Sequence, residues 1–220
     1  MPALRILLVL LVATVTACAA PGGQSSMAQP SPSAQPPEGS PLEPPASGEQ
    51  LPPGRYTRRE FSPAVSFELH GPWFAVQSLD GFFDVQQDVG SPDVIAVQFA
   101  RPDHVFGADG DRVRVDTAAE AAAAVAENPN LEILGQGPGR TGGHDGHVVE
   151  VEHPGAGAAD VSVMSVPPGP LMISPDRRLW ITFIDTSDGL LAILVGGSVA
   201  RWEEALATAE PVLESVLIHD

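Results

Sequence analysis

Between residues 19 and 54 the chain reads AAPGGQSSMAQPSPSAQPPEGSPLEPPASGEQLPPG, and proline, glycine and serine make up 21 of these 36 residues. Proline withholds a backbone donor and glycine carries the largest backbone entropy, so neither supports a regular element here. No apolar position recurs at a helical or strand period. A segment of this kind buries too little apolar surface to offset the entropy of ordering it. It is expected to be a disordered spacer, spanning about 30–36 Å as a flexible coil. The core must then come from residues 55–220, and 166 residues can bury roughly 70% of their unfolded surface as one domain.

What precedes the spacer reads MPALRILLVLLVATVTAC. One arginine, Arg5, is followed by an apolar run from Ile6 to about Val15 and then by small residues, the layout of a secretory signal. Ile6 to Ala20 is only 15 residues, whereas a membrane-spanning helix needs about 20. Val15-Thr16-Ala17-Cys18 resembles the lipobox of bacterial lipoproteins, with valine where leucine is commonest. The resemblance implies that residues 1–17 are removed and that Cys18 is acylated as the first mature residue. The expected organisation is a signal peptide over 1–17, a lipidated cysteine and tether over 18–54, and a single extracytoplasmic domain over 55–220. The protein would sit on the outer side of the cell membrane, held by lipid. Cys18 is the only cysteine, so no internal disulfide supports the fold.

The chain has 11 arginines, no lysine and 28 acidic residues, a formal charge of −17. That argues against nucleic acid as a partner, because phosphate binding needs basic patches. The partners expected are the membrane, through Cys18, and an envelope protein or small molecule of unspecified identity. The domain is expected to be monomeric.

Beyond residue 54 the periodicity is mostly that of strands. In VSFELH, Val65, Phe67 and Leu69 alternate with Ser66, Glu68 and His70, and GFFDVQQ and DVIAVQFAR repeat the pattern. HVVEVEH and VSVMSV follow, then RLWITFID and LLAILVGG about an Asp188-Gly189 turn. TAAEAAAAVAEN reads as a helix with Thr117 and Glu120 as a capping box and Asn128-Pro129 as its stop. A second helix after Ser198 carries the stripe Val199, Trp202, Leu206, Ala209, Leu213 and Val216, with a kink expected at Pro211. VLIH would close the sheet. The fold class is α+β, a mainly antiparallel sheet flanked by helices. The order FSPAVSFELHGPWF, AENPNLEIL, GGHDGHVVEVE, GLLAILVGG and VLESVLI resembles bacterial extracytoplasmic domains whose fold is that of PsbP and the mycobacterial LpqN-type lipoproteins. That resemblance implies a PsbP-like sandwich and a binding or accessory role, and transfers no site residue.

HDGHVVEVEH holds His144, Asp145, His147, Glu150, Glu152 and His153. On a strand, His147 and His153 would lie about 20 Å apart, too far to share one metal; only His144, Asp145 and His147 could meet at a turn. Asp109, Asp111 and Asp116 lack the spacing and distal glutamate of a calcium loop. Ser198 follows two glycines at a helix start and reads as a cap; with Arg201 that start could also hold an anion. Trp73, Trp180 and Trp202 read as core or rim packing. No catalytic, metal or cofactor site is assigned. The expected function is a membrane-anchored binding or accessory domain and not an enzyme. The alternative is a cell-envelope hydrolase or metal-dependent enzyme on the same tether.

Overall fold

The computed structural model describes Leu42 and residues 47–107, 109–155, 159–167 and 169–219; Cys18, the expected signal peptide and most of the expected spacer lie outside them. Glu38–Asp220 forms one compact unit. Its described elements run β1 (Glu49–Leu51), β2 (Gly54–Arg58), β3 (Ala64–Leu69), β4 (Trp73–Leu79), β5 (Phe82–Gln87), β6 (Ile95–Ala100), β7 (His104–Phe106), β8 (Arg112–Arg114) and α1 (Ala118–Ala126). They continue with β9 (Glu132–Thr141), β10 (His144–Glu152), β11 (Val161–Val166), β12 (Gly169–Ile173), β13 (Arg177–Thr186), β14 (Gly189–Ser198), α2 (Trp202–Glu214) and β15 (Leu217–His219). None of the helices among the described residues is long and apolar enough to cross a membrane.

The centre is an antiparallel sheet of eight strands in the order β1-β4-β5-β6-β14-β13-β10-β9. A three-stranded sheet, β15-β3-β2, and α2 cover one face; a four-stranded sheet, β12-β11-β7-β8, and α1 cover the other. The α+β class and the antiparallel pairing agree with the sequence pattern. The expectation of half-buried strands does not hold at the centre, where β14 is buried from Leu190 to Gly197 without alternation. Each face of that strand meets its own core, so both sets of side chains can be apolar. One core stacks Phe67 against Phe99 at 4.9 Å between ring centroids; the other buries Val149, Ile181 and Leu194 beneath α1 and the smaller sheet.

Three local readings are corrected. The fold starts inside the stretch read as spacer: Glu49–Leu51 pairs with β4, Leu51 is fully buried, and Leu42 bridges to Tyr56. Leucine supplies the apolar anchor that the surrounding prolines lack, and Pro52-Pro53 then ends the strand. In the first helix Thr117 accepts from the Glu120 amide at 3.2 Å, but the Glu120 carboxylate accepts from Asp116 N–H, one residue before the expected partner. Ala118 N–H is satisfied by Asp185 instead. The second helix begins at Trp202, after a 3-10 turn over Val199–Arg201 rather than directly after Ser198, and it includes Pro211.

The stripe expected on that helix is also rotated. The side chains it buries are Trp202, Ala205, Ala209 and Val212, while Leu206 and Leu213 are only partly covered. The cause lies beneath it. A Cβ on Gly197 would stand 2.6 Å from the Ala205 Cβ, so α2 approaches β14 more closely than leucine at the seam would permit. Alanine takes the seam and the leucines are displaced to its flank.

Candidate functional site

The flank to which Leu206 and Leu213 are displaced is a groove. It lies between α2, Trp180 on β13 and the β9–β10 hairpin end, and encloses about 510 Å³. That is within the range of small-molecule sites. Trp180, Leu206, Ala207 and Leu213 form its apolar surface; Glu203, Glu210 and Glu214 from the helix and Arg140 from the hairpin border it. Three carboxylates therefore face one guanidinium, and that guanidinium donates to the Gly143 carbonyl at 3.0 and 2.8 Å.

Glycines let the hairpin pack closely on itself, on β13 and on the segment that follows α2. Val148 lies across Gly139, where a Cβ would stand 2.2 Å from Val148 Cγ2. A Cβ on Gly146 would stand 2.4 Å from the Phe183 carbonyl oxygen. At the tip, Gly142 has φ +56° and its α-carbon is so close to Val216 that a Cβ would stand 2.2 Å from the Val216 carbonyl oxygen. Strand glycines of this kind mark close backbone approach. The signal is visible in GQGPGRTGGHDG, which the strand periodicity passes over. Inside, Thr141 donates to Thr182 Oγ1 at 3.2 Å, and Trp180 Nε1 donates to the same oxygen at 3.3 Å, fixing the indole edge.

Of the residues weighed in the sequence, Trp180 lines the groove and the others lie elsewhere. Trp73 is core. Trp202 is buried, donates from Nε1 to Glu150 Oε1 at 2.9 Å, and carries the Arg178 guanidinium 5.3 Å above its ring. Arg178 in turn lies 3.3 Å from Glu150 and 3.7 Å from Glu152, which ties both glutamates of HDGHVVEVEH into one structural cluster. His153 is buried: its Nδ1 accepts from Gly155 N–H at 3.1 Å and its Nε2 faces the Ala159 carbonyl at 3.0 Å, as donor in that tautomer. Asp145 is solvent-exposed and 3.8 Å from Arg140. Among the described residues no three His, Cys, Asp or Glu side chains converge. Asp116 pairs with Arg114.

Ser198 stands at the N-cap position of the 3-10 turn, but its hydroxyl does not cap it and lies 3.3 Å from Asp93 Oδ1 instead. Arg201 meets Asp93 Oδ2 at 3.4 Å and pairs with Glu204, so carboxylates already occupy the cation considered for an anion site.

No protein-family model matches the chain, and no curated protein matches it in sequence. Solved structures similar in fold include LpqN of Mycobacterium tuberculosis, described as involved in cell envelope biogenesis, at 9% identity and TM-score 0.43, covering 78% of this chain and 91% of that one. Cyanobacterial PsbP from Synechocystis matches at 12% identity and TM-score 0.43, over 76% and 92%. A Bacteroides thetaiotaomicron protein matches at 10% identity and TM-score 0.38, over 71% of this chain and 45% of its own, so the chain spans under half of that protein.

Proposed function

We propose that the chain is a lipid-anchored extracytoplasmic binding domain, tethered through Cys18, whose α2 groove receives the apolar body of an amphiphile with a neutral or cationic head. The carrying observation is that Leu206 and Leu213 stay partly exposed over Trp180 while alanines fill the seam. The apolar surface suits a hydrocarbon or ring, and the three carboxylates against Arg140 disfavour an anionic head.

The test is titration of the purified protein with N-phenyl-1-naphthylamine, a neutral apolar dye. One dye should bind per chain, with energy transfer from Trp180 that Trp180→Phe diminishes. Leu206→Glu should weaken binding about tenfold or more, since one leucine contact is worth about 1.5–3 kcal/mol. Undiminished binding by Leu206→Glu would place the dye elsewhere and remove this reading.

A further inference from the structure

On the opposite face of the large sheet, an apolar row changes character partway across. Val149, Ile181 and Leu194 are directly paired on β10, β13 and β14, and all are fully buried. The same row continues through Gln98 on β6 and Asp84 on β5 to Gln77 on β4. Directly opposed residues share a face, so three polar side chains on three adjacent strands end a row that starts as core. The β11–β12 hairpin passes over them, and together they border a cavity of about 350 Å³ with Phe82, Val166, Leu171 and Met172 on its apolar side.

Asp84 is the unusual member. It is 4% exposed. Its Oδ2 accepts from Gln86 Nε2 at 2.8 Å, and the Gln98 side chain adds a smaller hydrogen bond. Oδ1 is buried without a partner. Burial pushes this carboxyl up to about 6, and the two amide hydrogen bonds offset only part of that rise. A buried acceptor of this kind is costly to leave unmatched, and no cationic side chain lines the cavity among the described residues.

We propose that this cavity binds a primary ammonium group on a short apolar stem, with Asp84 as its counter-ion. An ammonium carries three donors and no acceptor, which suits the unpartnered Oδ1 together with the carboxamide oxygens of Gln77 and Gln98. Phe82, Leu171 and Met172 lie where the stem would run. A bare metal ion fits less well, because a hard cation takes six to eight oxygens and the cavity offers one carboxylate. The chain's acidity raises the local concentration of cations. The ammonium can belong to a free amine or to a lysine side chain of a polypeptide.

The experiment is a two-dimensional amide NMR titration of the purified protein with n-butylamine, with Nα-acetyl-lysine methylamide, and with 1-butanol as the uncharged counterpart. Saturable shifts on β5, β6 and β12 are expected from at least one amine. Asp84→Asn, which keeps the shape and removes the charge, should weaken that amine about tenfold or more, and 1-butanol should be weaker by a similar factor, as expected for loss of a charge-assisted bond. Binding by n-butylamine alone would identify free amines; tighter binding by the lysine derivative would identify a polypeptide side chain. Asp84 is the only titratable group among the described lining residues, so affinity should fall about tenfold per pH unit as the pH drops below the carboxyl's titration. No shift with either amine, equal affinity for 1-butanol, or undiminished binding by Asp84→Asn would each overturn the proposal. The cavity lies on the opposite face from the α2 groove, so failure of one test leaves the other standing.

Discussion

Asp84 also makes its own contribution to how stability depends on pH. Its carboxyl titrates at about 6 when folded, against about 3.9 in an unfolded chain. The folded state therefore holds this proton more tightly. The stabilisation is fully present below about pH 4 and is lost as pH rises through about 6. At neutral pH the ionised, buried carboxylate costs on the order of 3 kcal/mol, from about 2 units of displacement at 1.36 kcal/mol each. Asp84→Asn should accordingly be more stable than the parent at pH 7, by up to about 3 kcal/mol, and should flatten the slope of stability between pH 4 and 6. Urea unfolding at several pH values measures both. A variant no more stable at neutral pH would show that the unpartnered oxygen carries no such penalty. At this scale the sequence was least readable. GFFDVQQ displays an aspartate on a strand, but not that the strand is covered on both faces. Nor does the strand pattern show that His153 is buried with the backbone of Gly155 and Ala159 at its two ring nitrogens.

Elements were more legible, because period and capping are local. α1, β3, β6, β11 and the β13–β14 hairpin lie where alternation and the Thr117 cap put them. The sequence pattern did not reveal β9, whose ten residues include three glycines and a proline in place of apolar alternation. The facing residues of α2 were misassigned because helical spacing fixes a stripe's period but not how closely the partner strand approaches. Gly197 decides that. The hairpin tip gives a test with an internal control. Gly142 and Gly143 both have positive φ, +56° and +82°, but only Gly142 has a neighbour a Cβ would strike; Gly143 has nothing within 4 Å. Gly143→Ala should cost about 1–2 kcal/mol from the left-handed backbone alone. Gly142→Ala should cost clearly more, by a further 1–3 kcal/mol typical of overpacking, and should weaken dye binding in the adjoining groove. Equal costs in thermal melts would mean that the hairpin does not depend on its contact with Val216.

For the whole molecule, the sequence made the division into a polar, proline-rich stretch and an apolar, strand-forming one plain, apart from the few residues around Glu49–Leu51 that join the sheet. The proposed anchor at Cys18 belongs to this scale. Cys18→Ser should abolish fatty-acid labelling and either release the protein from the membrane fraction or stall it as precursor; equal labelling of the variant would end the lipoprotein reading. Many copies held on one surface would meet repeatedly, each presenting the two outer strands of its large sheet. An open edge strand is a template for pairing with another chain. Here one edge is β1, only three residues long and closed off by Pro52-Pro53. The other, β9, is long, but along it Glu132, Pro138 and Arg140 interrupt any regular ladder, and three glycines leave little side chain to interlock. Crowded neighbours would therefore find no long regular edge on the large sheet along which to zipper into aggregate.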